Sequence, residues 1–271
     1  AVSASFCSGV TECYKSGGEV KRYHGGIGAQ GGIRAAALAK LGLTGPATIL
    51  EGPLGLRAMS DTYTPEVITD RLGEKFVVAD IWTKKYSCNG MIHAPVDGIE
   101  AIRARRPFAA EDIERVDVGS NQHAVNEVGS IRLPKDMFGF QFSMNYALAL
   151  QVVKGSNDFD AYIEDNLCEP EIVALAERIF TETDDEVQGW FPETLGARVT
   201  IRFKDGSVEE ELIRDCRGSP GNPMSALELE TKARNIAGMS MGAEEFQKVI
   251  DAVRSLEAMS DARALGDLLR G

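Results

Sequence analysis

The chain has 271 residues, of which 44% are hydrophobic and 26% charged, a composition typical of a globular protein with one large or two ordinary domains. Its formal net charge of −12 disfavours general binding to nucleic acids or anionic membranes, because the mean field repels polyanions. Its five cysteines are scattered, without CxxC pairs or zinc-type spacing, and no apolar run reaches membrane-spanning length. These features predict a cytoplasmic protein with reduced thiols, no metal, and no nucleic-acid or membrane partner. Because the chain begins at Ala1 without a methionine, we expect it to be a fragment of a longer protein.

A cationic cluster lies near the start of the chain. Lys21, Arg22 and His24 precede the glycines of HGGIGAQGG, and an alanine-rich helix follows from Ile33 to Leu41. Glycine lets the backbone approach a ligand closely, and a helix N-terminus favours anions. This arrangement predicts a carboxylate or phosphate site; the alternative is a glycine-rich turn with three solvated charges. The helix is slim and apolar, so we expect it to be buried against close neighbours.

A second stretch repeats that order. The β-like run Phe76 to Trp82 leads to Lys84 and Lys85, then to a turn, SCNG, and then to His93 before a helix from Pro95 to about Arg105. The repetition favours one anion site lined by both stretches. A desolvated lysine near other cations has a lowered pKa and becomes a usable base. The alternative for His93 is a packed or capping histidine.

The remaining segments predict a sheet between helical ends. The sheet contains a strand at Ile113 to Val118 and a hairpin at Arg198 to Ile213 that turns at Gly206. Helices are predicted at these positions: Ala1 to Gly18, Pro46 to Gly52, Pro65 to Leu72, Ser143 to Val153, Pro170 to Phe180, Asn222 to Gly238, Ala243 to Met259 and Ser260 to Leu269. Together, residues 81–217 form an α+β layer covered by helices on one face.

Common catalytic motifs are absent from the sequence: there is no GxSxG, HExxH or Walker loop. The Gly26-Ile27-Gly28 sequence has no preceding strand, which removes the dinucleotide interpretation. What remains is lysine and histidine beside glycine-bearing turns, a set suited to binding a carboxylate and moving a proton.

Several segments carry a resemblance to a known family. KRYHGGIGAQGGIRAAALAKLGLTGPATILEGPLG resembles the Lys-x-x-His-x-Gly segment and following helix of the MmgE/PrpD family. KKYSCNGMIHAPVDGI, EDIERVDV, FSMNYALALQVVKG, VTIRFKDG and GSPGNPMSALELETKA continue the likeness in collinear order over nearly the whole chain. That family includes 2-methylcitrate dehydratase, cis-aconitate decarboxylase and iminodisuccinate epimerase, which act on small polycarboxylates without a metal or organic cofactor.

The resemblance implies a mainly α fold with an α+β part. Residues 1–80 and 218–271 would form a helical domain whose N-terminal part is missing, and 81–217 an inserted α+β lid with an antiparallel sheet. The active site would lie between them, in a homodimer that uses no cofactor. The matching positions make Lys21, Lys84, His24 and His93 the candidate catalytic residues; the candidate substrate-binding residues are Arg22, Lys85, Gly25 and Asn89.

The implied activity is a hydro-lyase that dehydrates a 2-methylcitrate-like substrate, as in propionate catabolism. Asn89 stands where the decarboxylase branch places a histidine, which disfavours decarboxylation, and Ser87 replaces a common proline. The alternatives are an epimerase of an imino or amino dicarboxylate, and a truncated homologue that binds carboxylates or dimerises without turnover.

Overall fold

The computed structural model describes residues 1–7, 9–10, 12–13, 18–59 and 66–269. Side chains between Tyr86 and Cys216 supply most of the hydrophobic core. The α-helices of this part of the chain are α1 His24–Lys40, α2 Glu66–Thr69, α3 His93–Arg105, α4 Gln122–Asn126, α5 Met137–Phe142, α6 Met144–Lys154, α7 Glu164–Leu167, α8 Pro170–Ala176, α9 Asp185–Trp190, α10 Ala226–Ala237, α11 Ala243–Arg254 and α12 Arg263–Leu268. Short 3-10 helices occupy Val2–Phe6, Glu19–Tyr23, Leu56–Met59, Val77–Asp80, Gly90–Ile92, Ala110–Asp112, Phe159–Ala161 and Leu256–Ala258.

The described strands form one mixed sheet. They are β1 Ile113–Ser120, β2 Ile179–Thr183, β3 Ala197–Phe203 and β4 Val208–Ile213, in the order β2-β1-β3-β4. β1 pairs antiparallel with β3 but parallel with β2. The prediction of an antiparallel sheet is therefore wrong at one pair. The helix predicted to end at Phe180 stops at Ala176, and the chain then enters β2, where only Ile179 is buried and the alternation is weak.

The hairpin is confirmed. In β3, alternate residues from Ala197 to Phe203 are buried, as a strand with one core-facing side requires. Gly206 adopts a φ of 84° in the turn, and β4 pairs antiparallel with β3 from Val208 onward. The opposite face carries ion pairs such as Arg198 with Glu210.

Helix α3 packs on the buried face of the sheet and begins with His93, at the end of the predicted second site stretch. A Cβ added at Gly98 would lie 2.7 Å from Cγ2 of Val199, so the helix and β3 approach closely because position 98 has no side chain. The predicted helix near Pro95 to Arg105 and the predicted strand at Ile113 are both confirmed.

The first glycine run differs from its prediction. It lies inside α1, which begins at His24, rather than in a turn. Within this helix, all of which is described, the buried residues are Gly31 and Ala35, so the prediction of a buried helix is wrong. Alanine favours a helix whether or not it is buried, so composition fixed the helix but not its surroundings.

Other predicted elements also differ from the structure in their type or their boundaries. The predicted strand at Phe76 to Trp82 contains the 3-10 helix Val77–Asp80, in which Val77 and Val78 are exposed, and the predicted helix at Pro46 is a series of turns. Helix α10 begins after Ser225, which forms a capping box with Glu228, and not after Asn222. The predicted helix over residues 1–18 is the 3-10 helix Val2–Phe6, with the rest partly outside the described residues; Pro65 also lies outside them.

The fold is thus mainly α with an α+β part, as predicted. The division into a helical domain of 1–80 and 218–271 and a lid of 81–217 stays a prediction.

Candidate active site

Lys84 begins a loop that folds back on itself. Its Nζ donates a hydrogen bond to the carbonyl oxygen of Cys88 at 2.9 Å. Lys84 is exposed as a residue, but its ammonium is enclosed enough that burial lowers its pKa. The buried Cys88 thiol acts in the opposite direction, and the positive charge of Lys21 lowers the pKa of Lys84 further. At a given pH, a larger fraction of Lys84 is therefore in the neutral amine form than for an ordinary lysine.

Lys21 comes from the 3-10 helix Glu19–Tyr23. Its Nζ lies 4.4 Å from the ring centroid of Phe142, at the end of α5. The charge of Lys21 acts on Lys84, so the two predicted catalytic lysines, more than 60 residues apart in sequence, influence each other electrostatically.

His93, the first residue of α3, is 2% exposed. Its ring forms a T-shaped pair with the Tyr86 ring, with ring centroids 5.2 Å apart and planes at 71°. Burial, followed by the charge of Lys84, lowers the pKa of His93 to about 4, while Asp97 partly opposes this. Its Nε2 is buried without a hydrogen-bond partner among the described residues. His93 is therefore a neutral imidazole at pH 7, with one nitrogen still able to bond.

His24, the other predicted catalytic histidine, opens α1 and is half-buried. A Cβ added at Gly9 would lie 3.3 Å from its ring, so the imidazole packs against that glycine. The structure thus brings His93 into the environment of Lys84, and it places His24 beside the N-terminal loop.

The predicted binding residues have different surroundings. Arg22 donates to Oε1 of Gln141 at 2.9 Å, and Lys85 donates to the Tyr86 hydroxyl at 2.7 Å. Asn89 accepts a hydrogen bond from the Met91 main chain at 2.9 Å, which caps the 3-10 helix Gly90–Ile92. Gly25 is exposed in the first turn of α1.

Asp97 connects the Lys84 loop to the return of the chain from the sheet. Its Oδ1 accepts from the Tyr86 hydroxyl at 2.6 Å and pairs with Lys85 at 3.5 Å, and its Oδ2 accepts from the Arg217 main chain at 2.6 Å. This aspartate ends the HAPVD sequence at the start of α3, and its bond with the Arg217 main chain joins positions 120 residues apart.

Lys232, on α10, was not singled out by any local pattern. Its Nζ donates to the carbonyl oxygens of Lys84 and Lys85, the latter at 3.2 Å. Burial lowers the pKa of Lys232, and the nearby Lys84 lowers it further. Contacts between residues 147 and 148 positions apart leave no signal in the local sequence.

A cavity of about 390 Å³ adjoins this loop. Its wall is part apolar and part charged; it consists of Lys85, Ser87, Asp158, Phe159, Asp160, Met224, Leu227, Glu228, Thr231, Lys232, Asn235, Ile236 and Met239. The cavity thus lies between the loop, at Lys85 and Ser87, and α10.

The described residues lack two features that would indicate a site of another kind. No group of three or more His, Cys, Asp or Glu side chains in this part of the chain is placed to hold a metal ion. None of its helices combines the length and the apolar character needed to cross a bilayer.

Known proteins show the same relationship as the motifs. The profile of the MmgE/PrpD C-terminal domain matches residues 86–258. Cis-aconitate decarboxylase of Aspergillus terreus is 27% identical over 93% of this chain and 55% of its own length. The enzymes of that name from Mus musculus and Homo sapiens are each 24% identical over 93% of this chain and 53% of theirs. The chain spans about half the length of these relatives.

The profile match covers well over half of the chain and includes α3, the whole sheet, α10 and α11. It therefore confirms the resemblance given by the separate sequence motifs. This chain belongs to the MmgE/PrpD family.

Proposed function

We propose that this protein is a lyase that acts on a small polycarboxylate and begins by removing a proton next to a carboxylate. The observation that carries the proposal is the convergence of Lys21 and Lys84, with the pKa of Lys84 lowered by burial and by Lys21. Two amines favour the binding of an anion with several carboxylates, and the lowered pKa supplies a base. The decarboxylase names of the relatives support the same substrate class.

The residues take different roles in this scheme. Neutral Lys84 accepts the proton from the carbon, and the Lys21 ammonium offsets the negative charge that develops on the neighbouring carboxylate. His93, neutral because of its lowered pKa, can hydrogen-bond through Nε2 but carries no charge.

We favour dehydration of a 2-methylcitrate-like tricarboxylate as the reaction. In that reaction the C–H bond breaks, a C=C bond forms, and hydroxide leaves as water after gaining a proton. Asn89, which by the family resemblance stands where the decarboxylases carry a histidine, has no titratable proton, and its amide oxygen is engaged in the cap at Met91. Decarboxylation of cis-aconitate is the second candidate, and the names of the relatives support it.

The test is to assay the protein, with whatever flanking sequence its gene encodes, against 2-methylcitrate and cis-aconitate separately. Dehydration gives an unsaturated tricarboxylate of the same carbon number, whereas decarboxylation gives an unsaturated dicarboxylate and CO₂; NMR distinguishes them. Turnover of cis-aconitate alone would replace the dehydratase assignment by the decarboxylase one. Turnover of neither would contradict the lyase proposal and favour an epimerase or a carboxylate-binding protein.

A further inference from the structure

Helix α5, Met137–Phe142, lies between the two lysine-bearing segments. Gln141 on this helix uses both ends of its side-chain amide. Its Oε1 accepts from Arg22, next to Lys21, at 2.9 Å, and its Nε2 donates to the carbonyl oxygen of Ser87 at 2.9 Å. Its own main-chain oxygen accepts from the Asn89 N–H at 2.9 Å. One residue therefore contacts both segments.

Neighbouring residues of α5 strengthen the same connection. The helix is anchored by buried Phe138 and Phe140. Asp136, its N-cap, accepts from Gly139 at 2.6 Å through Oδ1 and from the main chain of Gly18 at 3.2 Å through Oδ2. Gly18 immediately precedes the 3-10 helix that carries Lys21. The Lys21 segment is thus held to α5 and its N-cap by two hydrogen bonds and by the contact of Lys21 with the Phe142 ring.

The amide group itself matters at position 141. A planar amide offers an acceptor on one side and a donor on the other, a combination that neither a carboxylate nor an aliphatic side chain provides. The two partners come from segments 119 and 54 residues away in sequence, so the amide supplies a link that the local chain does not.

We propose that Gln141 is a positioning residue that holds the Lys21 and Lys84 segments at a fixed separation, so that both amines face one substrate. The fixed separation of the two segments is inferred from the hydrogen bonds of Gln141 alone. Its importance for turnover rests on the proposed function.

The pKa of Lys84 depends on the separation of the two segments, because the charge of Lys21 lowers it. The titratable groups that act on or near Lys84 are Lys21, Cys88 on its own loop, His93 on α3 and Lys232 on α10. Of these, Lys21 reaches Lys84 across the Gln141 bridge. If the bridge is broken and the Lys21 segment moves away, one repulsion is lost and the pKa of Lys84 rises.

Competitive labelling with trace acetic anhydride tests this without requiring turnover. The acetylation of Lys84 is followed against pH by mass spectrometry, with fragment ions that separate it from Lys85. In Gln141→Leu and in Lys21→Met we expect the Lys84 pKa to rise, with labelling at pH 8 falling roughly two- to threefold. The matched control is Gln188→Leu, because the Gln188 side chain also accepts from a main-chain N–H, that of Gln122 at 2.7 Å. It should leave the labelling of Lys84 unchanged.

Gln141→Met provides a second test in case the leucine variant does not fold. Methionine keeps the length and the neutrality of the glutamine side chain but loses both the acceptor for Arg22 and the donor to Ser87, so Lys84 labelling should fall without any new charge near the lysines. Unchanged labelling in both Gln141 variants, with a fall in Lys21→Met, would overturn the bridge. Unchanged labelling in all three would overturn the pairing of the lysines as well. Labelling as expected in a protein that turns over no substrate would leave the bridge intact and remove only the proposed function.

Discussion

At the scale of single residues, the surroundings of Lys84 decide what its amine can do. A lysine is ordinarily a solvated cation, and the sequence supplies only its position. In the structure, burial and Lys21 lower its pKa, and the Cys88 carbonyl orients it. A similar change applies to His93, which burial converts from a titratable surface group into a neutral imidazole.

Replacing the Lys84 amine tests its role as the base. We expect Lys84→Met to lower kcat of the assayed protein at least about 100-fold, because general-base catalysis typically contributes 10²–10⁴-fold. Lys248→Met, at an exposed lysine of α11, is the control and should retain full activity. A Lys84→Met enzyme with more than a tenth of wild-type kcat would contradict the assignment.

His93 predicts a pH-dependent stability. Its pKa is about 4 in the folded protein and about 6.5 when unfolded, so its contribution is complete above pH 6.5 and is lost as pH falls towards 4. From pH 7 to pH 5 we expect the free energy of unfolding to fall by about 2 kcal/mol through this group. Urea denaturation of His93→Gln should lack this portion of the pH dependence.

His123→Gln is the matched control for that measurement. His123 lies on α4 with its side chain 53% exposed and its Nε2 3.4 Å from a Glu127 oxygen, so it is not buried as His93 is. An equal loss of stability between pH 7 and pH 5 in the wild type and in His93→Gln would show that His93 is not the group responsible.

At the scale of elements, contacts between helices and strands override local preferences. Glycine in a helix is usually unfavourable relative to alanine by about 1 kcal/mol. In α3, however, the missing Cβ of Gly98 lets the helix approach Val199. The glycines of HGGIGAQGG also lie within a helix, because this sequence forms the first half of α1.

We therefore expect Gly98→Ala to destabilise the protein by about 1–3 kcal/mol, the usual range for overpacking, although alanine is the better helix former. The added Cβ would lie 2.7 Å from Cγ2 and 3.1 Å from Cβ of Val199. Gly189→Ala in α9 is the matched control, since nothing lies within 4 Å of its added Cβ, and it should be neutral or stabilising by up to about 1 kcal/mol. Urea midpoints measure both; equal midpoints for the two variants would refute the close approach.

At the scale of the whole molecule, α10 joins the C-terminal part of the chain to the Lys84 loop. Glu228 pairs with Arg217 at 2.9 Å, and the Arg217 main chain donates to Asp97. One turn further along the same helix, Lys232 donates to the carbonyl oxygens of Lys84 and Lys85. The helix is therefore attached at two points, to the Lys84 loop through Lys232 and to Asp97 of α3 through Arg217, and it forms one wall of the adjoining cavity.

Removing one of these points should loosen α10. Lys232→Met loses hydrogen bonds from a charged donor, worth about 1.5–3 kcal/mol, so amide exchange across Ala226–Ala237 should become at least about tenfold faster. Hydrogen–deuterium exchange with mass spectrometry measures this. Lys248→Met, on the next helix, should leave that exchange unchanged, and the same result in Lys232→Met would disprove the attachment.

The sequence by itself determined the features that depend on neighbouring residues. Alternation and Gly206 specified the β3–β4 hairpin, Gly155 and the apolar run specified α6, and collinear motifs indicated the MmgE/PrpD family that the profile match confirmed. These predictions succeeded because a strand, a turn or a cap is set by residues a few positions apart. The residues of the Lys84 loop could also be named in advance, since their types and spacing are local.

Only the tertiary structure decided how distant segments meet. It paired β2 in parallel with β1, joined the Lys21 and Lys84 segments through the bonds of Gln141 to Arg22 and Ser87, and brought Lys232 to the Lys84 loop. A parallel pair needs a crossover, and each of these side-chain contacts joins positions between 54 and 148 residues apart. Such contacts are fixed by the packing of the whole core, and that is also what lowers the pKa of Lys84 and makes His93 neutral.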